Sequence, residues 1–243
     1  MDKTLSISGH LQELRRRLIF CLVVLVLSLA ISFPFAQRII HFLKYPAADR
    51  INKLAFFGPE EAFLVYMKAA FIMAFILALP FISYQLWAFL TPAINLKHRR
   101  YSIQFVASVV IVFITGCLFA YFIMLGPALN FLLSFGKDEL IAVISASRYI
   151  SFVSSLILLT GLVFEMPVLS YIFTRLGLIK ASWLRGRMKY AILAIFILSA
   201  VITPTADMFN MLLLALPMVL LYELSIWVSY FTRPLRTARK NPG

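Results

Sequence analysis

Long apolar runs make up most of this chain, and short polar clusters cut them apart. They cover residues 18–36, 62–90, 101–125, 149–173, 190–203 and 208–230. Most reach the roughly 20 residues that a helix needs to cross a bilayer. The pattern therefore predicts six transmembrane helices. The fifth run is anomalous: residues 190–203 extend roughly 21 Å as a helix, against a hydrocarbon core of about 30 Å. In the sixth, Pro217 and Glu223 are expected to shorten the apolar part. Short spans thin the bilayer or recruit partner helices; alternatively, the stem of Lys189 snorkels and the fifth helix starts earlier. Residues 37–61 and 126–148 have room for short helices and turns. Gly126-Pro127 is expected to bend the chain where the third span ends.

Composition agrees with this pattern. The chain has 243 residues, 62% hydrophobic and only 14% charged, and its mean hydropathy is +0.93. A soluble domain of this length could not bury so much apolar surface. The formal charge of +13 does not point to nucleic acid, because basic residues flank membrane spans on the cytoplasmic side and no soluble segment is left to grip DNA. Six spans place both termini on one side. That side carries Lys3, Arg15, Arg16 and Arg17, then Lys97, Arg99 and Arg100, then Arg175, Lys180, Arg185, Arg187 and Lys189, and finally Arg233, Arg236, Arg239 and Lys240. The opposite loops hold only Arg38, Lys44, Arg50, Lys53, Lys137 and Arg148. Both termini are therefore expected in the cytoplasm. The first span is too long for the h-region of a signal peptide and reads as retained. No repeat or low-complexity tract interrupts the chain, so residues 1–243 read as one membrane domain.

Polar residues inside the spans carry the candidate chemistry. Glu165 sits in GLVFEMPV, and a charged carboxylate in lipid costs about 2.5–3.5 kcal/mol or more. Pro167, two residues on, kinks the helix and frees the Val163 carbonyl. Two readings stand: a functional acid on a concave, partly wet surface, or a carboxyl hydrogen-bonded to a neighbouring helix. Glu223 lies nearer the cytoplasmic end. Lys68 is expected to snorkel toward Glu60 and Glu61. Cys21 and Cys117 lie at different depths, which argues against a disulfide. CxxC and HExxH motifs are absent, so neither a metal nor a cofactor is implied. Intramembrane proteolysis fails on inventory. His10, His41 and His98 lie in loops or at ends, and no Asp lies inside a span. A proton-coupled small-solute carrier using Glu165 is the alternative function, although that class favours internal repeats.

The N-terminal segment reads SGHLQELRRRL, residues 8–18. Leu11, Leu14 and Leu18 form one stripe on what is expected to be a short interfacial helix. Glu13 and Arg17 stand at i and i+4, the spacing of a surface ion pair. With this HLxELRxRL pattern the sequence resembles the TatC family, the multispanning subunit of the twin-arginine protein translocase. Further matches follow in order: LPFISYQLWAFLTPAI at 79–94, FAYF at 119–122, YISFV at 149–153, GLVFEMPV at 161–168, ITPTADMFN at 202–210 and LLALPMVLLYE at 213–223. They cover nearly the whole chain.

The resemblance implies an all-α receptor, a curved, glove-like bundle with a concave face in the bacterial-type cytoplasmic membrane. It implies binding of twin-arginine signal peptides on the cytoplasmic side. It also implies assembly with the single-span TatA and TatB proteins and with further copies of itself, and export of folded cargo driven by the proton-motive force. By position, Glu13, Arg15, Arg17 and Phe89 match the family's signal-peptide site. Glu165 matches its intramembrane carboxylate, and Pro46, Phe63, Tyr121 and Asp207 match other sensitive positions. Packing explains the aromatics and Pro46 equally well. One departure stands out: where the family carries an acid before a basic pair after span two, this chain has His98, in Lys97-His98-Arg99-Arg100.

Overall fold

The structure, a computed structural model, describes residues 7–47, 54–94, 99–134, 143–202 and 207–232. These form α1 (Ile7–Ser32), α2 (Ala36–Lys44), α3 (Pro59–Ile94), α4 (Arg99–Phe119), α5 (Leu125–Ser134), α6 (Ala146–Phe164), α7 (Met166–Arg175), α8 (Ala181–Gly186), α9 (Met188–Ile202) and α10 (Met208–Phe231). Among the described residues there is no β-strand, and an isolated bridge joins Ala55 to Ser145. Apolar stretches long enough to cross a membrane run over Leu11–Lys44, Pro59–Phe89, Ser102–Ser134, Ala146–Arg175 and Met208–Phe231, and Met188–Val201 is a shorter apolar helix. Each of the six expected spans falls on one of them.

Three local expectations change. The N-terminal segment is no separate interfacial helix: α1 continues from Ile7 into the membrane without a break. Nothing in SGHLQELRRRL stops a helix, since it lacks Pro and its Gly lies in the first turn. Pro217 lies inside α10 without ending it, so the sixth span keeps 24 residues. The third span does not end at Gly126-Pro127 but continues to Ser134. A π-helical turn forms over Ala120–Met124, and α5 runs through both residues. Leu125 N–H donates back to Ala120 O, so the ladder widens by one residue just ahead of the proline that lacks a donor. Lys68 extends toward Glu61 as expected: its charge acts on that carboxylate, and its ammonium donates to Ser147 Oγ (2.7 Å) and Ser151 Oγ (2.8 Å).

The chain divides into two compact units. One comprises Met1–Ile111 and Glu139–Ser154, the other Val112–Asp138 and Ser155–Gly243. In the first, α1 and α2 pack on α3. Ala70, Ala74 and Ala78 form a fully buried stripe on α3, and small residues at this spacing let helices approach closely. Glu61 accepts from Phe57 N–H (2.6 Å), from Ser147 N–H (3.0 Å) and from the Ser145 hydroxyl. One carboxylate thus satisfies a donor in the first turn of α6 and holds the approach to α3. Tyr149 donates to Leu43 O (2.9 Å), tying α6 to α2.

In the second unit, α7 and α9 pack on α10. The Ser170 hydroxyl donates to Ser225 O (2.9 Å) and that of Thr174 to Ser229 Oγ (2.8 Å), so α7 and α10 are joined by hydrogen bonds within an apolar segment. The helices α4 and α6 meet at Gly116 and Gly161. A Cβ on Gly161 would lie 2.8 Å from both Cys117 Sγ and Phe113 Cε2, closer than real contacts allow. Cys21 and Cys117 are free thiols.

Candidate functional site

The N-terminal part of α1 and the C-terminal part of α3 meet around one guanidinium. Arg17 Nε and Nη2 donate to Glu13 Oε1 at 3.1 and 2.5 Å. Its Nη1 donates to Gln85 Oε1 (3.1 Å) and Gln85 O (3.3 Å), and Nη2 also reaches Ala88 O (3.2 Å). The side chains of Arg17 and Glu13 are 21% and 27% exposed. The helical i, i+4 spacing brings the ion pair together. The α3 contacts then turn it into a bracket between two helices.

Two consequences follow from the donor count. A guanidinium has five N–H groups in a fixed fork, and here they are committed to Glu13 and α3, so Arg17 positions the acid. Glu13 Oε1 is occupied, whereas among the described residues Oε2 receives no hydrogen bond, which makes it the atom suited to accept a cation. Arg15 is exposed on the same helix and takes no part in the bracket. Phe89 is half-buried on α3, directly after the Ala88 carbonyl that Arg17 engages. His98 lies outside the described residues. Gln85 and the Ala88 carbonyl belong to this site and were not anticipated. A neutral residue in an apolar run gives no signal of a partner 68 positions away.

Glu165 belongs to the second unit. It occupies the break between α6 and α7, where Glu165 N–H donates to Leu162 O (3.1 Å) and Leu169 N–H to Glu165 O (2.9 Å). Pro167 stands in the first turn of α7, where its missing donor costs little. The kink is where the sequence places it. The partly wet setting is not: Glu165 is only 8% exposed, its Oε1 has no hydrogen-bond partner, and the Phe113 backbone faces the carboxyl. The Gly116–Gly161 approach explains the burial. It brings Phe113 and Phe164 in around the residue one turn below Gly161.

The other predicted positions have separate settings. Pro46 lies in a 3₁₀ turn after α2. Phe63 is exposed on α3, with its ring 6.3 Å from that of Phe33. Tyr121 is buried in the π turn. Asp207 caps α10, accepting from Asn210 N–H (2.7 Å) and Nδ2 (2.9 Å). Among the described residues, no group of three or more His, Cys, Asp or Glu could hold a metal ion.

Comparison with known proteins decides the family. The model of the "Sec-independent protein translocase protein (TatC)" family matches residues 9–217. This chain belongs to the TatC family. It is 37% identical to the TatC of Koribacter versatilis, over 96% of this chain and 88% of that protein. It is 36% identical to the TatC of Aquifex aeolicus, over 92% and 94%. A crystal structure described as the twin arginine translocase receptor TatC is 36% identical, with a TM-score of 0.81 over 90% of this chain and 97% of that one. A second, in the detergent DDM, gives 37% and 0.82 over 90% and 99%. The chain is thus a multi-pass protein of the bacterial inner membrane in a protein-translocase family, a transport family rather than an enzyme family.

Proposed function

We propose that this TatC-family chain is the receptor for twin-arginine signal peptides, with Glu13 as the principal acceptor. The observation that carries the proposal is the divided carboxylate of Glu13, one oxygen held by Arg17 and the other open among the described residues. An incoming guanidinium gains a charge-assisted bond there, and a lysine cannot reproduce its planar fork. The solved relative described as a twin arginine translocase receptor supports the reading. On it, the chain assembles with TatA- and TatB-type single-span proteins and with its own copies, and the proton-motive force drives export of folded cargo. Glu165, an acid buried in a span, is the residue best suited to a role in that transport.

The test is binding of a twin-arginine peptide to the purified full chain, with a twin-lysine peptide as control. Wild type should prefer the arginine peptide, and Glu13→Gln should lose that preference. Equal affinity for both peptides, or an unchanged preference in Glu13→Gln, would defeat the proposal.

A further inference from the structure

The segment from Arg175 to Tyr190 carries five cations and no acid. The end of α7 is closed by a Schellman turn: Gly177, at φ +72°, donates to Thr174 O (3.0 Å), and Leu178 N–H donates to Phe173 O (3.0 Å). Glycine is suited to that left-handed position. The short helix α8 that follows is fixed to α10 three ways. Leu184 is buried, Tyr222 donates to Leu184 O (2.8 Å), and Arg185 pairs with Glu223 at 2.8 Å. Among the described residues, Glu223 is the carboxylate ion-paired with this segment.

Two of the remaining charges, Arg187 and Lys189, gather on the rings of Trp183 and Tyr190. The Arg187 guanidinium stands 5.6 Å from the Trp183 centroid and 6.0 Å from that of Tyr190, and Lys189 Nζ stands 5.2 Å from the same Tyr190 ring. Lys180 is exposed at the N-terminus of α8. Two cations on one ring repel each other, and among the described residues no acid is ion-paired with them. Trp183 and Tyr190 are more than half exposed, and Leu178 is 70% exposed. Apolar side chains and amphipathic rings beside fixed cations match the headgroup depth of a bilayer, and the anion abundant at that depth is a lipid phosphate.

We infer that Lys180, Arg187 and Lys189, framed by Trp183 and Tyr190, form a binding site for an anionic phospholipid headgroup of the cytoplasmic leaflet. Such a site would hold the cytoplasmic end of α9 at the headgroups. Its 15 residues span only about 22 Å, so the bilayer beside it must thin rather than let the helix sink.

Native mass spectrometry of the detergent-purified full chain, given phosphatidylglycerol and phosphatidylcholine in equal amounts, tests this. Wild type should retain phosphatidylglycerol preferentially. Arg187→Gln/Lys189→Gln should lower that retention by about tenfold or more, given what each cation contributes near an anionic surface. Arg38→Gln/Lys44→Gln on α2 removes the same charge from the opposite side and should leave retention unchanged. Lys180→Gln/Lys189→Gln keeps Arg187 on its rings and supplies an independent pair if the first variant does not fold; it should weaken retention several-fold. Equal loss in the α2 control would reduce the effect to bulk charge. Undiminished retention in the α8–α9 variants, equal retention of phosphatidylcholine, or full displacement by inorganic phosphate would each overturn the lipid site.

Discussion

Replacing Gln85 with leucine removes one acceptor from the Arg17 bracket while keeping side-chain volume nearly constant. A hydrogen bond to a charged group contributes about 1.5–3 kcal/mol when desolvated. Arg17 is 21% exposed and keeps Gln85 O and Ala88 O as partners, so the loss should be nearer 1 kcal/mol. The one freed Nη1 donor then turns toward the carboxylate beside it and occupies Glu13 Oε2, the atom offered to an incoming arginine. If the loss passes to the site in full, twin-arginine peptide affinity falls about fivefold. Gln85→Glu keeps an acceptor at the same place and should preserve or tighten binding. Titrating labelled peptide into wild type and both variants measures this, with melting temperature as a check on folding. Discrimination between twin-arginine and twin-lysine peptides should shrink in Gln85→Leu, a change that simple destabilisation would not produce. Unchanged affinity and discrimination would show that Arg17 does not set the geometry of Glu13.

Gly161→Ala should destabilise the α4–α6 approach by about 1–3 kcal/mol through overpacking against Phe113 and Cys117, read as a lower melting temperature in detergent; an unchanged melting temperature would mean the helices separate freely. Glu165→Gln should fold and reach the membrane, since glutamine keeps size and hydrogen bonding, but export should fall; degradation of the variant with unchanged export per molecule would make the residue structural. Peptide binding to wild type should weaken as pH drops through the ordinary histidine range, about 6.5, because protonation of His98 adds positive charge to a chain proposed to bind a cationic peptide. His98→Glu should abolish that weakening over the same range, and a tighter wild-type complex at low pH would remove His98 from the site.

What could be read from the sequence follows the reach of each signal. Six spans, the Glu165–Pro167 break and the Glu13–Arg17 pair are local patterns: an apolar run, a missing donor, an i, i+4 spacing. Each survives folding because backbone geometry alone enforces it. Lys68 shows where that reach ends. Its nearest acids in sequence are Glu60 and Glu61, and its charge does act on Glu61, but its hydrogen bonds go to serines 79 and 83 positions away on α6, which no local pattern announces. Pro217 shows a weak signal outweighed by its surroundings: apolar residues on both sides keep α10 continuous despite one missing donor.

The proposed peptide site joins both kinds of information. The acid and its cation lie on one helix and announce themselves by spacing. Whether that pair is a neutralised surface couple or an acceptor with a free oxygen is decided by Gln85 and the Ala88 carbonyl, on a helix brought alongside by apolar packing that encodes no polar partner. If Arg17 were not drawn to α3, it could use both oxygens of Glu13, and the segment's one acid would be silent. The apolar contact between α1 and α3 therefore does more than stabilise the unit: it determines how much of a single carboxylate remains for recognition.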